Sequence, residues 1–158
     1  MIFFQGKRDF GTYYPTERVH TTEPKRLAKE DDILLSVRAP VGDINIAMKD
    51  CCIGRGLASI KHKSGSVGYS YLVLKNLRKN FDGYNTEGTV FGSVNQKTLK
   101  SLGVISNDLI LTKFIVFVEP IFSQMKNQEK EILTLQKTRD TLLPKLLSGE
   151  IDVSDIDK

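Results

Sequence analysis

Catalytic chemistry is what this sequence has least of. It carries no His-x-Glu or Cys-x-x-Cys zinc pattern and no Ser or Cys nucleophile with a matched His. It has no Pro-Asp…Glu-x-Lys nuclease run and no Asn-Pro-Pro-Tyr or Asp-Pro-Pro-Tyr methyltransferase motif. Such signatures are short and hard to disguise, so their absence points to a binding module rather than an enzyme, with no cofactor and no metal of its own. Cysteine is confined to the adjacent pair Cys51 and Cys52. Neighbouring cysteines rarely bridge and lack zinc-ligand spacing, so a reducing cytoplasm is the default and the pair reads as small strand residues, one on each face. No apolar run approaches the ~18–20 residues that span a membrane, and no signal-peptide pattern opens the chain. Repeats and low-complexity segments are also missing.

What is present is a long ladder near the end of the chain. With Leu111 as position a of a heptad, the a and d rungs are Leu111, Phe114, Val118, Ile121, Met125, Gln128, Ile132, Leu135, Arg139, Leu142 and Leu146. Nine of these eleven are apolar, while Lys, Glu, Gln, Thr and Asp dominate between them. A spacing of about 3.5 residues held this long marks a narrow seam for a partner helix. Pro120 falls off the seam, so a kink or restart there leaves the seam usable. Pro144 distorts the last turn, and Ser148-Gly149 supplies a stop. The sequence has no second long heptad run, so the expected partner is another polypeptide.

The net charge of +4 is unevenly placed. Residues 1–110 hold 16 Lys and Arg against 11 Asp and Glu, whereas residues 111–158 hold 7 against 8. The excess positive charge of the first part suits a polyanion without requiring one. In chain order, Ile2-Phe3-Phe4 reads as a buried strand that begins abruptly, as if a leading segment were trimmed. Residues 5–15 form a loop with two glycines, a proline, two cations and two tyrosines, a composition that either grips phosphates and bases or simply packs its rings. Thr22 to Lys29 suggests a short helix with Pro24 in its first turn. Ile33 to Arg38, Ile44 to Ala47 and Leu57 to Lys61 read as strands, separated by the turns at Asp31-Asp32, Ala39 to Asp43 and Gly54-Arg55-Gly56. The two glycines around Arg55 match neither phosphate-loop pattern. An amphipathic helix is expected over Val67 to Phe81 with Ser66 as its cap. A strand should follow over Thr89 to Val94, then a short helix at Asn95 to Leu99 and a last strand over Leu102 to Ile105. Ser106-Asn107-Asp108 then caps the long helix.

Four blocks carry a family resemblance. They are Asp32-Ile-Leu-Leu-Ser-Val-Arg-Ala-Pro-Val-Gly-Asp43, Cys52-Ile-Gly-Arg-Gly-Leu-Ala58, Gly88-Thr-Val-Phe-Gly-Ser-Val-Asn95, and the tail from Thr138 to Ile151. In this order they resemble the DNA specificity subunits of type I restriction–modification systems, over nearly the whole chain. The resemblance implies an α+β fold: a small mixed α/β target-recognition domain followed by a long C-terminal coiled-coil helix. It places that domain at 1–107, without its usual N-terminal segment, the pairing helix at 108–149 and a tail at 150–158. A complete subunit of the family has two recognition domains and two helices paired antiparallel, so this chain resembles half of one.

The resemblance implies sequence-specific DNA binding by a non-catalytic half-subunit. It would read a half-site of double-stranded DNA and dock modification (methyltransferase) and restriction subunits, which use S-adenosylmethionine and ATP. It would pair through its helix with itself, as a homodimer, or with another specificity subunit. No membrane contact is expected. In groove readout Arg and Asn or Gln specify bases, while Lys, Ser and Tyr position the backbone. On that basis the loop and strand-end candidates for DNA contact are Gln5, Lys7, Arg8, Tyr13, Tyr14, Arg18, Lys61, His62, Lys63 and Asn95. Arg38 and Arg55 rank lower because they lie in blocks that the resemblance marks as framework. Ile121, Met125, Gln128, Ile132, Leu135, Arg139, Leu142 and Leu146 are the pairing candidates. Two rival readings remain: a dimeriser or regulatory remnant that does not bind DNA, and the recognition end of a fused methyltransferase–nuclease.

Overall fold

Between residues 2 and 60 the apolar runs are short, rich in β-branched and aromatic residues, and broken by Gly, Pro and Asp, which favours brief strands. The computed structural model describes residues 1–84, 92–104 and 107–151. The runs form β1 (Phe3–Phe4), β2 (Leu27–Ala28), β3 (Ile33–Ser36), β4 (Ile44–Ile46), β5 (Cys51–Ile53) and β6 (Leu57–Ile60). Two three-stranded sheets result, with strand orders β1-β5-β2 and β4-β3-β6. In the first sheet β1 runs parallel to β5, with Phe3 opposite Cys52, and β2 is antiparallel to it. In the second, β3 is antiparallel to both neighbours, so Ile33 faces Ile46 on one side and Ile60 on the other.

All four residues of β3 are buried, as befits a central strand covered on both faces. Its alternation divides the core. Leu34 belongs to a cluster with Ile2, Phe4, Ala28, Cys51, Ile53 and Leu57. The next residue, Leu35, packs with Val41, Phe81 and Val94. Truncating either leucine to alanine costs about 2–5 kcal/mol by the usual core ledger. Both cysteines are free and buried, and burial pushes the Cys51 thiol up to about 11.

The helices are α1 (Val67–Asn76), α2 (Gln96–Lys100) and α3 (Asp108–Leu147). Ser66 caps α1 as expected, its hydroxyl accepting from the Tyr69 N–H at 3.0 Å. The expected α-helix to Phe81 instead stops at Asn76 and tightens into a 3-10 segment, Leu77–Tyr84. The tightening seats the fully buried Phe81 against Gly42, where any Cβ would lie 3.0 Å from the ring and φ is +96°. Asn107 caps α3, its side-chain oxygen accepting from the N–H groups of Leu109 and Ile110. The helix is continuous through Pro120, and Gly149 (φ 73°) turns the chain out of it, fulfilling the expected stop.

Two expected elements do not form as read. No helix spans Thr22 to Lys29. Leu27 and Ala28 pair instead with Cys52 and Cys51, and the Arg26 guanidinium donates to the carbonyls of Gly54 (2.8 Å) and Leu57 (3.1 Å). An eight-residue helix with a proline in its first turn is marginal alone, and strand partners 23 and 25 residues away outweigh it. Residues 102–104 are not a strand, and Ile105 lies outside the described residues. Of the strand expected at Thr89 to Val94, only Ser93 and Val94 are described beside Gly92. Ser93 bridges Arg38, and the Val94 N–H donates to the Val37 carbonyl at 2.9 Å.

The chain divides into two compact units, Met1–Pro120 and Ile121–Lys158. In the first unit the opening rungs of the ladder serve their own domain. Val118 is buried, and Phe114 stands edge-on to Tyr69 with ring centroids 6.3 Å apart. Glu119 accepts from the Gly68 N–H (3.0 Å) and the Ser66 hydroxyl, placing a carboxylate at the N-terminus of α1. The expectation that the ladder as a whole faces another polypeptide is corrected for these first rungs. In the second unit Ile121, Ile132, Leu135, Leu142 and Leu146 stay 41–61% exposed.

Candidate nucleic-acid interface

The loop after β1 is built as a rigid ledge. Lys7–Asp9 form a 3-10 turn, and Phe10 bridges Pro15. Buried Asn45, from β4, accepts from the Gly11 N–H at 3.0 Å and donates to the Gly11 carbonyl at 3.1 Å. Asp9 is buried and met by Arg18, whose Nε lies 3.0 Å from Oδ1 and whose Nη2 donates to the Arg8 carbonyl at 2.9 Å. Lys7 pairs with Asp43, which also takes Arg78 at 3.0 Å. Tyr14 is buried, while Tyr13 keeps its ring partly exposed and tilted against Tyr71, with centroids 5.9 Å apart. Burial, and secondarily Tyr13, raises the Tyr71 phenol above its ordinary pKa. Arg18, Lys7 and Tyr14 are therefore engaged in holding the ledge, whereas Gln5 and Arg8 stand exposed on it.

The other candidates lie beyond β6. Lys61 and Lys63 are exposed. His62 is half-buried, its Nδ1 2.8 Å from the Ser64 hydroxyl and its ring 4.7 Å from that of Tyr69. The Asn95 oxygen accepts from the Thr98 N–H at 2.9 Å and so caps α2, while the side chain remains at the surface.

Clefts gather some of these candidates and not others. A cleft of about 680 Å³ holds Gln5 and Lys7 with Lys25, Arg26, Arg38 and Arg55. A second, of about 400 Å³, adds Arg8 and Arg18 to Gln5. A third, of about 710 Å³, holds Lys61 with Gln96 and Lys100 and shares Arg26 with the first. His62, Lys63, Tyr13 and Tyr14 line none of the three. Arg26 was missed by sequence reasoning, because its role depends on carbonyls 28 and 31 residues away. Among the described residues no group of three or more His, Cys, Asp or Glu stands placed to hold a metal ion, and no helix is long and apolar enough to cross a membrane.

Clefts whose charged residues are mostly Lys and Arg suit a polyanion. The comparisons with known proteins agree with that chemistry. The family model of the type I restriction modification DNA specificity domain matches residues 14–106. A Methanocaldococcus jannaschii protein described as the specificity subunit of the type I restriction enzyme MjaX is 34% identical over 157 residues, covering 96% of this chain and 36% of that protein. Among solved structures, the HsdS subunit from Thermoanaerobacter tengcongensis gives a TM-score of 0.62 at 29% identity, over 95% of this chain and 38% of its own. A chain solved in work on the assembly and conformational transition of the type I R-M system gives 0.63 at 30% identity, over 91% and 37%. The chain thus spans little more than a third of the length of these relatives. With the specificity-domain model matched over more than half of its length and the fold shared with a solved HsdS subunit, this chain belongs to the type I restriction–modification DNA specificity family.

Proposed function

We propose that the chain acts as a half-subunit of specificity: one recognition domain reads a half-site in double-stranded DNA, and α3 pairs it with a second specificity chain. The observation that carries this reading is a specificity domain followed by a 40-residue helix on which the rungs Ile121, Ile132, Leu135, Leu142 and Leu146 stay exposed. Exposed apolar rungs at heptad spacing are the ordinary device for helix pairing. Gln128 and Arg139, the two polar rungs, suit a role in fixing register and orientation. Methyl transfer and cleavage would belong to modification and restriction subunits docked on the assembly, and this chain would contribute recognition without catalysis.

Within the domain, the candidates fall into three roles. Gln5, Arg8, Lys61 and Asn95 present exposed polar groups to a duplex. Lys7, Tyr14 and Arg18 fix the ledge that carries them. Tyr13, His62 and Lys63 flank this surface as backbone contacts.

Binding of the full chain to duplex DNA, followed against salt, tests the reading. A protein that neutralises phosphates loses affinity linearly in log–log form with salt, whereas a dimeriser that ignores DNA shows no such dependence. Changing Arg8 to Ala should flatten the slope by about one unit, the share of one lost phosphate contact. An unchanged slope puts the ledge off the DNA.

A further inference from the structure

The first unit contains six arginines, and the structure separates them by what already occupies their guanidinium groups. Arg18 is taken by Asp9, Arg78 by Asp43, and Arg26 by the carbonyls of Gly54 and Leu57. The guanidinium groups of Arg8, Arg38 and Arg55 meet no hydrogen-bonding or ionic partner among the described residues. Two of these three, Arg38 and Arg55, line the same 680 Å³ cleft. Lys7, Lys25 and Arg26 join them there, against a single carboxylate, Glu23.

The backbone that carries both arginines is held rigid. On either side of Arg55, the Gly54 N–H donates to the Phe4 carbonyl at 2.8 Å and the Gly56 carbonyl accepts from the Val37 N–H at 2.9 Å. The Arg38 carbonyl accepts from the Ser36 hydroxyl at 2.9 Å, and its backbone bridges Ser93. The flanking glycines have a packing reason of their own. A Cβ on Gly56 would meet the Gln5 carbonyl oxygen at 2.6 Å, and one on Gly54 would meet the Gln5 Cα at 3.0 Å. They let the turn close onto β1, so the cations of this cleft are those of its side chains.

We propose that this cleft seats the DNA phosphate backbone, with Arg38 and Arg55 each taking a phosphate. The assignment rests on the DNA-binding reading above and reverses the ranking that sequence alone suggested. An arginine fork matches phosphate geometry bidentately, and a fork on a fixed backbone with no acid to displace loses little on binding. Such contacts set the register of the domain on the duplex and leave base reading to the exposed loops.

The experiment measures binding of the full chain to a mixed-sequence duplex of about three helical turns, across a salt series. The Arg38→Ala, Arg55→Ala double variant should flatten the slope by about 1.8 units, since each phosphate contact contributes about 0.9. Each single variant should lose about 0.9, which keeps the test standing if the double variant fails to fold. Arg38→Lys with Arg55→Lys should retain the slope, because the count of neutralised phosphates is unchanged. If the wild-type chain binds with a steep slope that the alanine variants share, the cleft is off the DNA while the DNA-binding reading survives. A loss confined to one sequence at constant slope would make the two arginines base readers and overturn the assignment. A lysine pair that loses the slope would overturn it equally. A wild-type chain with no salt-dependent binding would sink both readings.

Discussion

Two stretches of one helix follow the same spacing to different ends. From Leu111 to Pro120 part of the seam of α3 packs on its own domain: Val118 is buried, Phe114 meets Tyr69 while 37% exposed, and Glu119 caps α1. From Ile121 to Leu147 the rungs keep the same period, yet Leu135 is 61% exposed and Leu146 41%. A heptad period therefore defines the width of a seam and leaves its occupant open. In the first stretch the occupant is recognisable by polar complementarity, because Glu119 finds the unpaired N–H groups that open α1. Nothing comparable is offered to Ile132 or Leu135 among the described residues.

The largest effect should come from attacking the second stretch. Ile132→Asp with Leu135→Asp should convert a dimer to monomers in sedimentation, with the thermal unfolding of the recognition domain unmoved. A double variant that remains dimeric removes pairing from these rungs. The first stretch should respond the other way round. Val118→Ala should cost the domain about 2 kcal/mol in denaturant unfolding while leaving the dimer intact. If it dissociates the dimer without destabilising the fold, the division of labour along α3 is wrong. The smallest effect concerns the cap: Glu119→Gln keeps the shape, removes the charge facing the N-terminus of α1, and should cost about 1 kcal/mol. Hydrogen exchange in the first turn of α1 should rise in step, and unchanged exchange would leave the cap without a role.

Local rules made much of this architecture legible. The Ser66 and Asn107 caps, the Gly149 stop and the length of α3 rest on neighbours a few residues apart, and the β3–β4 hairpin on partners 9 to 13 apart. The failures share a different cause. Thr22 to Lys29 reads as a helix until β5 and the Gly54 carbonyl enter, and both are remote in sequence. The end of α1 depends on Gly42 meeting Phe81. The candidate site was legible as a basic loop-and-strand-end surface. The state of each cation was not, because whether Arg18 is engaged and Arg55 is open depends on which carboxylates the fold brings near.

Selection of binding sites from random DNA by this chain tests the central claim most directly. If one recognition domain pairs with a copy of itself through the second stretch of α3, the assembly is twofold symmetric and needs a symmetric target. The account predicts an inverted repeat of one half-site around unread bases. An asymmetric selected site, or no enrichment at all, would contradict it.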